Sequence, residues 1–171
     1  LIKYIKKRMD LIETPIITGD FKPKFYWTGN LHEDAKRINA PHIKKEGVQE
    51  DRIAETIDIM NEIDSFQEFT LTDAFNIQNR LLSVNNYKGI KSGFRTHNVK
   101  FSDTPKFEDA PELTNRMFPV KVMPKEQLLE WYRQIQLIHP LSDLNGRVFE
   151  IIVAILNKKK DLLYDVALTT I

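Results

Sequence analysis

A chain of 171 residues suffices for one domain with a real hydrophobic core and falls short of two; 42% hydrophobic and 29% charged residues exclude a disordered or fibrous class. The formal net charge of +1, from 25 basic and 24 acidic side chains, leaves no polyanion footprint and argues against a nucleic-acid partner. With no cysteine there are neither disulfides nor thiol chemistry, which suits a cytoplasmic setting, and four histidines without Cys make a structural zinc site a poor expectation.

The first eight residues, Leu1 to Arg8, alternate apolar residues with lysines and lack the apolar run of a signal peptide. The sequence begins at Leu1 rather than Met, so further residues are expected upstream. Pro15, Gly19, Pro23 and Gly29 punctuate the next stretch, and residues 1–30 read as an irregular N-terminal extension of a single domain whose core runs over 31–171. Leu31 to Asn39 reads as a short helix, ended by Pro41, which disfavours helix at the residue before it. From Asp51 to Phe66, Ile53, Ile57, Met60 and Ile63 recur at helical spacing. A further helix follows, with Thr70 or Thr72 as cap and Phe75, Ile77, Leu81 and Leu82 inward.

Residues 89–101 shift towards alternation at Phe94, Val99 and Phe101, which predicts a short β-hairpin, and residues 102–114 read as an extended loop. Pro124 suits a first helical position, and Leu128, Leu129, Tyr132, Ile135 and Ile138 continue that helix. A polar turn, His139 to Gly146, leads into the apolar segment Val148 to Leu156, expected to be a buried central helix. Its continuous apolar run, Ile151 to Leu156, is far below the roughly 20 residues that span a bilayer, so no membrane partner is expected. The expected fold class is mainly α: a helical bundle around a buried helix, with one short β-hairpin.

The segment HPLSDLNGR, His139 to Arg147, gathers unlike functional groups at one helix–turn–helix junction. Asn145 and Gly146 stand where the buried helix begins, where backbone N–H groups lacking intrahelical acceptors form an anion site, and Arg147 adds a cationic fork. Asp143 supplies a hard oxygen of the kind Mg²⁺ uses beside phosphates. His139 is the one nearby side chain that exchanges a proton near neutral pH. A base, a metal carboxylate and a phosphate cradle describe phosphoryl or nucleotidyl transfer. By residue type alone, the same residues also serve as caps, turns and solvated side chains.

This segment resembles the Fic (filamentation induced by cAMP, Fic/Doc) signature HPFx(D/E)GNGRxxR, matching at His139, Pro140, Asp143, Asn145, Gly146 and Arg147. GFRTHNV, Gly93 to Val99, looks like the family's flap strand, and IQNRLL, Ile77 to Leu82, like the helix before it; the resemblance spans roughly residues 40–160. It implies the Fic fold and a protein adenylyltransferase that uses Mg²⁺ and ATP. His139 would deprotonate a Ser, Thr or Tyr hydroxyl of a target protein, and Asp143 would hold Mg²⁺. Leu144 as the replaced cradle residue, Asn145, the Gly146 backbone and Arg147 would anchor the phosphates. The flap, with Gly93, Phe94, Arg95 and Thr96, would hold the target by strand addition. Nucleotide, target protein, and an antitoxin or self-association for control are the partners implied, in a bacterial cytoplasm.

The match departs from the family at three places. Leu141 replaces Phe in a packing role. Leu144 replaces the first Gly of GNGR, which implies an ordinary φ there or a poorer cradle. Glu150 stands where a second Arg would hold the γ-phosphate, and a carboxylate in that place repels a triphosphate. Upstream, His42 to Gly47 fits the family's inhibitory pattern (S/T)xxxE(G/N) except at His42, making Glu46 and Gly47 candidate inhibitory residues or a plain surface turn. The alternatives to AMP transfer are transfer of phosphate, another nucleotide or phosphocholine, and a weakened module that only binds a nucleotide or a partner. His32, His42 and His97 fit solvated or structural roles, and Trp27 and Trp131 fit packing.

Overall fold

The computed structural model describes residues 30–40, 50–84, 89–100 and 103–158. It is mainly helical, with one small two-stranded antiparallel sheet. The expected extension over 1–30 lies almost wholly outside the described residues, as do Trp27, His42, Glu46 and Gly47.

Helix α1 (Leu31–Asn39) starts where Asn30 accepts the Glu33 N–H at 3.1 Å, and Glu33 and Asp34 in the first turn complement the helix dipole. Helix α2 (Glu50–Ile63) turns Ile53, Thr56, Ile59, Met60 and Ile63 inward. Ile57 is only half-buried, and Thr56 takes the middle of the stripe instead. Buried Asn39 explains this: its Nδ2 donates to Thr56 Oγ1 at 3.1 Å and to Ala35 O at 2.8 Å, fastening α1 to α2. The helix ends at Ile63 rather than Phe66, because the chain turns into strand β1 (Glu68–Phe69).

Strand β1 pairs antiparallel with β2 (Val120–Lys121), Phe69 opposite Val120 and both buried. The sequence did not announce this sheet, since two-residue strands carry no period to read. Helix α3 (Leu71–Leu82) opens on Thr70 in a reciprocal capping box with Asp73 (Asp73 N–H to Thr70 Oγ1 3.2 Å, Thr70 N–H to Asp73 Oδ2 2.8 Å). Helix α4 (Ala110–Asn115), with a proline in its first turn, begins within residues 102–114, which were expected as loop. Helix α5 (Lys125–Ile138) takes Pro124 as its N-cap rather than its first residue, so it starts one residue later than expected. Helix α6 (Asn145–Lys158) starts at the polar turn itself.

α6 is the central helix: it contacts α1, α2, α3 and α5, and Val148, Phe149, Ile151, Ile152, Val153, Ile155 and Leu156 are fully buried. Each such side chain contributes about 1.5–3 kcal/mol of burial, so α6 fixes the position of whatever its first turn carries. Trp131 is a packing residue, as expected. It lies edge-on to Phe118 and Phe149 at 5.6 and 6.0 Å, and its Nε1–H donates to Met117 O at 2.9 Å.

The predicted hairpin over 89–101 is absent from the described residues 89–100. Phe94 instead forms a single antiparallel bridge with Leu141. Gly89 and Gly93, at φ +91° and +123°, take the chain out of extended geometry on either side of Lys91, and that breaks the alternation a strand needs. Among the described residues, no helix is long and apolar enough to cross a membrane.

Candidate functional site at the α5–α6 junction

Helix α5 ends at His139, which adopts the left-handed conformation (φ 51°, ψ 55°) while its N–H caps Ile135 O at 3.0 Å. Leu144, five residues on, is the second non-glycine residue with positive φ among the described residues, at 69°. Between these two reversals, residues 139–144 form a tight loop that delivers α6. Asn145 closes it: Oδ1 accepts the Leu141 N–H at 2.8 Å, and Nδ2 donates to Leu141 O at 3.0 Å. Gln136 on α5 donates to Asn145 O at 3.0 Å, so both helices grip the loop.

A second layer of hydrogen bonds comes from outside the junction. Buried Arg95 donates to the carbonyls of His139 (2.6 Å), Ile138 (3.2 Å), His97 (2.9 Å) and Pro105 (2.6 Å). The Arg95 N–H meets Pro140 O at 2.9 Å, and the Ser142 N–H meets Gly93 O at 2.9 Å. Buried Gln78 on α3 donates to Ser142 Oγ (2.9 Å) and Asp143 O (3.0 Å) while accepting the Gly93 N–H (2.7 Å).

Burial, and then the Arg95 guanidinium, hold the His139 imidazole below its ordinary pKa of 6.5, against the opposing pull of a backbone hydrogen bond at Gln136 and of the Asp143 carboxylate. His139 is therefore neutral at pH 7, the form that accepts a proton. Asp143 is half-buried; its Oδ1 accepts the Leu144 N–H at 2.7 Å. Among the described residues no group of three or more His, Asp or Glu side chains gathers, and Asp143 contributes one carboxylate to the loop. Mg²⁺ held beside phosphates uses one or two.

His139, Asp143 and half-exposed Gly146 are thus brought together by the loop and the first turn of α6. Other expected roles change. The Asn145 side chain is 4% exposed and committed to Leu141, so it is a loop closure rather than a phosphate ligand. Arg147 is 3% exposed within α6. Leu144 takes the glycine-like φ and packs its side chain into the core. Glu150 is buried and accepts from Tyr132 Oη at 3.2 Å, and burial followed by the Glu150 charge pushes the Tyr132 phenol well above its usual pKa. The expected repulsion of a triphosphate by Glu150 is corrected accordingly.

Of the four residues expected to hold a target, Arg95 is corrected to an internal clamp, because its guanidinium is spent on backbone carbonyls. Gly93 supplies the positive φ, and Phe94 stacks edge-on to Phe75 at 5.1 Å. Thr96 is exposed. With Lys91, Ser92, Phe94, His97 and Ser142 it lines a groove of ≈ 610 Å³ beside the loop. Sequence reasoning missed Gln78, Gln136 and Ser142. The one available signal was Gln78 itself, a polar residue directly beside the apolar Ile77, Leu81 and Leu82 of α3. Comparison of the chain with protein-family models, with curated proteins and with solved structures gave no match.

Proposed function

We propose that the chain is a Fic-type transferase that moves AMP from ATP to a hydroxyl of a target protein. The observation that carries this reading is the backbone at Leu144. The signature it resembles has glycine there, and Leu144 holds a left-handed φ of 69° that glycine adopts freely and leucine does not. A left-handed φ at a position where the signature has glycine supports the reading even though the side chain departs from it. A non-glycine residue held in that region is the kind of strain that functional loops retain.

In this reading neutral His139 takes the proton of a Ser, Thr or Tyr hydroxyl. The hydroxyl oxygen bonds to the α-phosphorus, the bond from that phosphorus to the bridging oxygen of the β-phosphate breaks, and pyrophosphate leaves with the bonding pair. The N–H groups of the first turn of α6, Gly146 among them, receive the phosphate charge. Asp143 would hold Mg²⁺, whose contribution when bound is to neutralise phosphate charge. The buried position of Glu150 is compatible with this chemistry, since the product keeps only the α-phosphate.

The test is incubation of the protein with lysate and Mg-ATP labelled at either the α or the γ position. Label retained on protein from the α position alone is the expected result. Label from the γ position alone would make the enzyme a kinase, and label from neither would overturn ATP as donor, leaving another donor or a binding role.

A further inference from the structure

Two side chains outside the 139–147 segment reach the site from behind, and each ends on the backbone of a different key residue. Arg95 donates Nε–H to His139 O at 2.6 Å; Gln78 donates Nε2–H to Asp143 O at 3.0 Å. We propose that Gln78 and Arg95 are positioning residues that set the base and the metal carboxylate through those two carbonyls. The inference rests on the roles given to His139 and Asp143 above.

The geometry favours positioning over ordinary packing. Both side chains are buried, at 0% and 2% exposure, so each of their hydrogen bonds is made in a low-dielectric setting where a lost partner is costly. Gln78 spends its donors on Ser142 and Asp143, and Arg95 directs two of its four carbonyl contacts to Ile138 and His139, the others going to His97 and Pro105. Between them they meet the backbone or side chain of Ile138, His139, Ser142 and Asp143. That stretch holds a left-handed non-glycine residue at His139 and leads directly into a second at Leu144. Such a backbone persists only where its surroundings over-determine it.

The same two residues also tie the loop to the groove. Gln78 Oε1 accepts the Gly93 N–H at 2.7 Å, Ser142 Oγ donates to Lys91 O at 2.7 Å, and the backbones of 93–95 and 140–142 exchange two further bonds. The groove wall and the catalytic loop therefore form one body, and a segment lying against Lys91, Phe94 or Thr96 contacts the element that carries the base. The charged or titratable groups that face His139 are Arg95, Asp143 and His97.

Loss of Arg95 would strip four carbonyls at once, so Gln78 is the better probe. Gln78→Met removes acceptor and donors together; Gln78→Glu keeps the acceptor for Gly93 and removes the donors. Amide exchange by NMR and kinetics of transfer from α-labelled ATP are measured on both variants and on wild type. In Gln78→Met the Gly93 amide should exchange about tenfold faster, as loss of one hydrogen bond implies, while the amides of α6 exchange as in wild type. In Gln78→Glu the Gly93 amide should stay protected. In both, kcat should fall about 10–100-fold, the usual effect of removing a group that orients a metal ligand.

Wild-type protection of Gly93 in Gln78→Met, or unchanged kcat in both variants, would overturn the proposal. A general rise in exchange across α6 would also overturn it, by showing a merely structural role. Should Gln78→Met fail to fold, the kcat of Gln78→Glu decides. A wild-type protein without transfer activity would overturn the proposed function, whereas the latch at Gly93 would still be judged by exchange alone.

Discussion

At His139 the polypeptide combines a helix end, a left-handed turn and a partly buried imidazole whose pKa lies below 6.5 because of burial first and Arg95 second. The folded state therefore binds a proton on this ring less readily than the unfolded chain does. Between the lowered folded value and 6.5 the unfolded chain holds more protons, so stability rises with pH through that window and is lost as pH falls through it. Urea midpoints measured from pH 8 to pH 5 should show wild type losing stability relative to His139→Gln below about pH 6.5. A constant difference between the two proteins would show that the ring is not perturbed. Leu144 offers a second test, in which two effects oppose each other. Glycine would relieve roughly 1–2 kcal/mol of left-handed strain, but removing a buried leucine costs about 2–5 kcal/mol. Leu144 is 4% exposed and part of the core cluster, so the loss of packing wins. Leu144→Gly should destabilise by up to about 4 kcal/mol in urea titration, and a stabilised variant would mean that the strain dominates.

Among the helices, α6 carries the site on its first turn and the core on the rest of its length. Its Glu150 shows why helical offset alone misleads. The signature puts a phosphate-binding arginine at this position, yet here the side chain is 5% exposed and paired with Tyr132 on α5. Glu150→Arg should accordingly destabilise the protein by about 3–5 kcal/mol, the cost of breaking a buried polar pair and burying a cation in its place. A variant of wild-type stability that binds ATP more tightly would show that residue 150 reaches the phosphates. Much of the helical order was readable from local pattern: the α1 boundaries from Asn39 and Pro41, the α3 cap from Thr70 or Thr72, of which the structure uses Thr70, and the buried α6 from Val148 to Leu156. The false hairpin arose because the apolar Phe94, Val99 and Phe101 among polar neighbours suggested alternation, whereas Gly89 and Gly93 take positive φ just before Phe94. Local pattern has no access to the β1–β2 pairing, which joins residues some fifty positions apart.

In the molecule as a whole, the candidate site was legible where its residues follow the order of the chain and illegible where they meet by contact. His139, Asp143 and Gly146 were identifiable from their spacing along one segment. Gln78 and Arg95 were not, since their hydrogen bonds to the site span 65 and 44 residues. Asn145 was misread for a related reason: only the folded loop shows that its amide is consumed by Leu141. The molecule can be described as a helical core that holds one strained loop from three sides, by α3 through Gln78, by the 89–100 segment through Arg95, and by α5 through Gln136. The role proposed for that loop is proton transfer at His139 during nucleotidyl transfer. The most direct measurement is protein-bound label from Mg-ATP labelled at the α-phosphate, at pH 7.5, with wild type beside His139→Ala. Label that wild type deposits and His139→Ala does not is the predicted result, while equal label from both, or none from wild type, would contradict the account.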